Sequence, residues 1–150
     1  EETSKYTDTL ADGTSRKWTW EMDAKSVVTS PSPQSPVTHG NGPLVITGLA
    51  WSGRGAISRV DVSKDGGMTW ETARLAKPGE KMALTRFYLD IEWDGSEMLL
   101  QSRAMDDTGY VQPTKAQLRK VRGLNSIYHN NCIQTWLVRE NGEAENVEVS

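Results

Sequence analysis

Hydrophobic and polar positions alternate along much of this chain with the period of a β-strand. From Arg16 to Lys25, Trp18, Trp20, Met22 and Ala24 take every second place, against Lys17, Thr19, Glu21 and Asp23. That spacing predicts a strand with one dry and one wet face. Ser30-Pro-Ser-Pro-Gln-Ser-Pro36 then interrupts, because each proline removes a ladder donor. Leu44 to Trp51 is nearly continuous in apolar residues and predicts a strand buried on both faces. Phe87, Leu89, Ile91 and Trp93 share one side of a further strand, with Tyr88, Asp90 and Glu92 on the other.

Turn residues separate these runs. Ile57, Val60 and Val62 lead into Lys64-Asp65-Gly66-Gly67, and Met68 to Leu75 follows. Asp-Gly-Gly supplies the positive φ angles of a tight hairpin, so 57–75 is expected to be one. Lys77-Pro78-Gly79 marks a turn, and Asp94-Gly95 turns the chain into Met98–Met105. Ile133–Arg139, a turn at Asn141-Gly142 and a short strand near Val147–Val149 close the sequence. Residues 1–15 are polar and aperiodic and read as a linker or covering arm. Helical composition occurs only over Thr114–Val121, after Pro113. Seven or eight short strands with almost no helix predict an all-β fold. The expected plan is an immunoglobulin-like antiparallel β-sandwich with one long loop containing a short helix. No Cys…Trp…Cys pattern occurs, which excludes an antibody-type domain.

Composition narrows the function classes. A length of 150 residues suits one domain with a real core. With 17 basic against 20 acidic residues, a net charge of −3 gives no basis for nonspecific nucleic-acid binding. No apolar run approaches the ~20 residues that span a bilayer. The chain opens on Glu-Glu-Thr, without a methionine or a signal peptide, and so reads as processed or as a fragment. A single cysteine, Cys132, excludes an internal disulfide framework and a multi-cysteine zinc site. Six Trp against one Phe, spread over the predicted strands, point to core packing and not to a stacking platform.

Candidate chemistry concentrates in one place. The connection between the strand ending near Met105 and the one starting at Ile133 is long and non-repetitive, which in a compact domain marks an interface or a site. It holds Arg122, Asn125, Tyr128, His129, Asn130 and Asn131. Arg122 follows Lys115, Arg119 and Lys120 and precedes Gly123. A planar guanidinium suits an oxyanion bidentately, and an ion pair with Asp106, Asp107 or a neighbouring subunit is the structural alternative. A hydrolytic triad would need His39 or His129, and no Gly-x-Ser-x-Gly elbow accompanies either. Asp106-Asp107 lacks partners at calcium-ligand spacing and reads as a turn pair bonding the backbone. Trp51-Ser-Gly-Arg-Gly55 reads as a tight turn with Arg54 exposed or at an interface, and Cys132 as a buried thiol.

Three segments then act together: Gly48-Leu-Ala-Trp-Ser-Gly53, Val60-Asp-Val-Ser-Lys-Asp-Gly-Gly-Met-Thr-Trp70, and Arg103-Ala-Met-Asp-Asp with Val111-Gln-Pro113 and Val121-Arg-Gly123. As an ordered set they resemble the C-terminal, dimerisation domain of sulfite-oxidase-type molybdenum oxidoreductases over 16–150. Arg122-Gly-Leu-Asn-Ser-Ile-Tyr-His-Asn-Asn131 departs from the Trp-His-Arg ending of animal and plant sulfite oxidases. It is similar instead to the branch formed by the molybdenum subunits of bacterial Sox sulfane dehydrogenases. The resemblance implies a domain that is silent alone and part of a molybdenum-dependent sulfane or sulfite dehydrogenase. It implies molybdopterin and its cysteine ligand in a preceding domain, no cofactor or metal here, and residues 1–15 as the arm from that domain. It also implies a homodimer through this domain, a cytochrome c electron-acceptor subunit and a periplasmic location. Arg122 stands where the family's arginine reaches an anionic substrate pocket, with Asn125, Tyr128, His129 and Asn130 as weaker rim candidates. The rival reading is a stand-alone β-sandwich module binding carbohydrate or protein.

Overall fold

A computed structural model describes residues 7–9, 15–17, 23–53, 55–76, 84–117 and 132–148. In chain order the strands are β1 (Thr7–Thr9), β2 (Ser15–Lys17), β3 (Lys25–Ser30), β4 (Gly42–Trp51), β5 (Ile57–Ser63) and β6 (Glu71–Thr72). They continue as β7 (Arg74–Leu75), β8 (Thr85–Trp93), β9 (Met98–Asp106), β10 (Thr135–Val138) and β11 (Ala144–Val147). One sheet runs β11-β10-β9-β5-β6 and the other β3-β4-β8-β7, while β1 and β2 pair as a separate ribbon. Every strand pairing among the described residues is antiparallel. The architecture is the expected all-β antiparallel sandwich.

The core lies between the two sheets. Ile46 and Phe87 from one sheet meet Val60, Val62, Leu100 and Val138 from the other, all fully buried. Burying each such side chain contributes on the order of 1.5–3 kcal/mol, which drives the two layers together. Trp136 ties the layers directly: its indole Nε1–H donates to the Val28 carbonyl, 2.8 Å away on β3. Alternation on β8 is as expected, with Phe87, Leu89 and Trp93 buried and Arg86, Asp90 and Glu92 exposed.

Several expectations change. β4 is buried on one face only: Leu44, Ile46 and Ala50 are inside, whereas Val45 is 46% exposed. A two-layer sandwich gives each sheet a single dry face. The strand beside β4 is Lys25–Ser30, later than the alternation from Arg16 suggests; Trp18, Trp20 and Met22 lie outside the described residues. Its inward positions include Ser26, fully buried, so an apolar pattern does not reveal it. The 57–75 segment is not a simple hairpin. Gly66 and Gly67 do take positive φ (75° and 98°), but the connection spans Lys64–Trp70, and the returning strand divides. Glu71–Thr72 joins β5, and Arg74–Leu75 crosses to β8, with Ala73 buried at the crossing. The expected turns at Asp94-Gly95 and Asn141-Gly142 form, with Gly95 and Gly142 at positive φ, and Arg54 and Lys77-Pro78-Gly79 lie outside the described residues.

Gly48 shows how tightly β4 packs between its neighbours, because an added Cβ would overlap the Phe87 ring and the Val27 carbonyl. Gly48→Ala should cost about 3 kcal/mol through overpacking. The urea midpoint measures this, and an unchanged midpoint would contradict the packing.

Candidate functional site

The outward face of the five-stranded sheet is unusually polar and unusually buried. Period two puts Val60 and Val62 inward and Asp61 and Ser63 outward. The register sets Asp61 opposite Arg103, and Gln101 between Ser63 and Thr135. Asp61, Ser63, Gln101 and Thr135 are all at most 5% exposed. Part of the cover is the 64–70 loop, whose Gly66 and Gly67 lie against Leu99 and Gln101. Asp65 shapes that loop by accepting from the Thr69 hydroxyl (2.6 Å), Thr69 N (2.9 Å), Met68 N (3.0 Å) and the Ser63 hydroxyl (2.7 Å). Those donors, Thr69 first, hold its carboxyl well below the usual carboxylate range.

Asp61 anchors a second group on this face. It accepts from Arg59 Nε (2.8 Å), Thr72 Oγ1 (3.1 Å) and Arg103 Nη2 (3.2 Å). Burial opposes its charge, but these bonds, led by Arg59 and Arg103, outweigh that and lower its pKa. Arg103 also stacks on Trp70, its Cζ 4.0 Å from the ring centroid.

The long connection begins beside Arg103. β10 pairs only with the Met98–Gln101 half of β9, and the chain after β9 turns back to occupy the other half. Asp106 makes that turn. Burial works against its carboxylate, yet the Thr108 and Ser52 hydroxyls and the Thr108 and Tyr110 amides donate to it and lower its pKa. This is the backbone-bonding turn role expected of the acidic pair. Gln112 then docks: its N–H donates to Ala104 O (2.9 Å), and its Oε1 accepts from Ala104 N (3.1 Å) and the Ser26 hydroxyl (2.7 Å). Ser26 and Ser102 hydroxyls meet at 2.7 Å, completing a buried polar link between the sheets.

After Pro113 a helical turn starts at Lys115, as composition suggests. Thr114 and Gln117 cap it reciprocally, Thr114 N donating to Gln117 Oε1 (2.9 Å) and Gln117 N to Thr114 Oγ1 (3.1 Å). The connection returns at Cys132, which is buried as expected. Ile133 N donates to Pro113 O (2.9 Å), so the two ends of the excursion are bonded to each other. Arg122, Asn125, Tyr128, His129 and Asn130 all lie outside the described residues.

Where the ends meet, a hollow of about 440 Å³ opens, lined by Trp70, Gln101, Arg103, Gln112, Lys115 and Gln117, among others. The sequence names Trp70, Arg103 and Gln112 only within motifs and Lys115 only in a basic run, and does not gather them into one site. The available signal was period two on β9, which faces Gln101 and Arg103 to the same side. Among the described residues no group of three or more His, Cys, Asp or Glu is placed to hold a metal ion.

Residues 16–136 match the family model of the Mo-co oxidoreductase dimerisation domain. The chain belongs to this family. Sulfite oxidase of Gallus gallus is 38% identical over 117 residues, 73% of this chain and 25% of that protein. Mitochondrial sulfite oxidase of Rattus norvegicus is 35% identical over 125 residues, 76% of this chain and 22% of that protein. Sulfane dehydrogenase SoxCD from Paracoccus pantotrophus superposes with a TM-score of 0.88 at 69% identity, covering 99% of this chain and 38% of that one. The chain thus spans about a quarter of the length of the curated relatives it matches. These matches carry the molybdenum-oxidoreductase context and give no support to a carbohydrate-binding module.

Acid titration should expose the carboxylates that organise this face. Asp61 and Asp106 ionise more readily when folded than at the ordinary value of 3.8. Their contribution is therefore complete above that value and is lost as pH falls through the lower folded values. Asp106→Asn should cost about 1–3 kcal/mol at pH 7, by converting one acceptor to a donor facing donors. It should also flatten the acid limb of stability against pH. Urea midpoints from pH 7 to pH 2.5 test both, and parallel curves for the two proteins would refute the assignment.

Proposed function

We propose that this chain is the C-terminal dimerisation domain of a molybdenum-dependent sulfur-compound oxidoreductase of the sulfane or sulfite dehydrogenase type. In this reading, residues 1–15 form the arm from a preceding domain that holds molybdopterin, and 16–150 form the immunoglobulin-like domain. The observation that carries the proposal is 69% identity to a sulfane dehydrogenase over 99% of the chain. The domain assembles the homodimer and works in the periplasm beside a cytochrome c subunit that takes the electrons. Among the described residues no helix is long and apolar enough to cross a membrane.

The domain's own chemistry is electrostatic. Molybdopterin would supply the redox chemistry, and this chain would bind and orient an anionic sulfur substrate. Arg122 presents a fixed positive charge and paired N–H donors, with Asn125, Tyr128, His129 and Asn130 along the rim. The described ends of the loop, Pro113 and Ile133, are bonded to each other beside the hollow that Arg103 and Lys115 line, which supports an anion-facing role for this edge. The aromatic residues argue in the same direction. Trp93 is buried, Trp136 is spent on Val28, and Trp70 lies under Arg103, so these three make no open stacking row.

In the full-length enzyme, Arg122→Ala should lower kcat/KM by about 2–4 kcal/mol, roughly thirtyfold or more, without lowering Tm. Steady-state kinetics with a sulfur oxyanion substrate make the test. Unchanged kinetics would remove Arg122 from the substrate site and leave the domain as scaffold.

A further inference from the structure

The two outward faces of the sandwich are built differently. That of the five-stranded sheet is polar and lies partly under the protein's own 64–70 loop. That of the four-stranded sheet is apolar over its β3–β4 half. Period two points Val45, Thr47 and Leu49 away from the core side that holds Ile46 and Phe87. The register sets Val27 beside Leu49, and Thr47 beside Tyr88. Val45 is 46% exposed, and Val27, Leu49, Trp51 and Tyr88 are partly exposed. Scattered apolar residues on a surface are ordinary, whereas a contiguous group marks a contact.

The polar groups on this face are suited to being covered. Thr29 and Thr47 hydroxyls meet at 3.3 Å near its centre, so burying them leaves no hydroxyl unmatched. On the β7–β8 half, Arg74 pairs with Asp90 at 3.1 Å and lies over the Tyr88 ring, 5.4 Å from its centroid. That half carries Arg74 and Arg86 against Asp90 and Glu92, equal numbers of each sign. A second copy of the same face therefore meets no net like charge.

We propose that two copies of this chain associate through the outer face of the four-stranded sheet, centred on Val45, Thr47 and Leu49. The inference rests on the homodimer reading, which the match to a dimerisation domain supports, and it names where the copies meet. The face is self-complementary, as a two-fold contact requires. A two-fold axis crossing the strands at Thr47 and Tyr88 reverses each strand over its equivalent. Leu49 then lies over the partner's Val45, and Arg86 over the partner's Asp90, so apolar meets apolar and opposite charges meet. The size also fits. With ten residues in β4 and four strands in the sheet, the face measures roughly 30 Å by 15 Å. Two such faces cover on the order of 900 Å² before side-chain relief is added, close to the ~1,000 Å² of a specific interface.

Sedimentation equilibrium of the full-length protein over a range of concentrations tests the surface, with Tm measured alongside. The parent protein is expected to be a dimer. Val45→Lys sets a lysine beside Asp90 within its own sheet, which favours folding, and brings two charges into the contact. It should raise the dimer Kd about tenfold or more at unchanged Tm. Arg86→Glu, at an exposed position, should raise it several-fold and serves if Val45→Lys fails to fold. Met68→Asp, on the 64–70 loop and 84% exposed, should dimerise as the parent does. A monomeric parent would sink the homodimer reading and this surface with it. A dimeric parent whose Kd neither Val45→Lys nor Arg86→Glu changes would sink the surface alone. Weakening by Met68→Asp, with the other two unaffected, would move the contact to the five-stranded sheet and likewise overturn the proposal.

Discussion

The buried hydrogen bonds at Gln112 set where the long connection leaves the sandwich. In an apolar interior the hydroxyls of Ser26 and Ser102 and the amide of Ala104 each need a partner, and one side-chain oxygen serves Ser26 and Ala104 together. Shifting the 110–113 segment by one residue would remove that oxygen and leave several buried groups unmatched. The register of the segment against β9 is therefore fixed by polar matching and not by apolar packing. The position of Lys115 and the bond from Ile133 to Pro113 follow from that register.

The rest of the molecule gives this node a rigid frame. Two sheets closed over Phe87, Ile46, Val60 and Leu100 do not slide, and Trp136 bridges them at Val28. On the outside, the Asp65-organised loop and the Arg103–Trp70 stack cover the face from the opposite side. The outer face of the five-stranded sheet is thus partly covered, with Asp61 buried and its partners Arg59 and Arg103 still reaching solvent. The described ends of the connection, at Pro113 and Ile133, are bonded to each other beside that face.

Sheet polarity and the described ends of the long connection meet at the β9–β10 junction. The rooted excursion holds Arg122, and the hollow at its base holds Arg103 and Lys115. Cationic groups gathered near a rigid edge raise the local concentration of anions.

Alternation and turn chemistry by themselves determined the sandwich, the strands at Thr85–Trp93 and Met98–Asp106, and the glycine turns at 66, 67, 95 and 142. They also marked the polar connection as the place of interest, because its length and composition are local properties. Four things needed the tertiary structure. Ser26 hid β3, since its inward position is polar and its partners lie 76 and 86 residues away. β6 and β7 read as one strand, because nothing local records that Ala73 crosses between sheets. β4 read as doubly buried, because a sequence cannot say how many layers cover a strand. Arg103 and Gln112 stand in the sequence only as parts of the family motifs, and Lys115 only in a basic run, with nothing to bring the three together. Their convergence depends on long-range register, which no short window of sequence encodes.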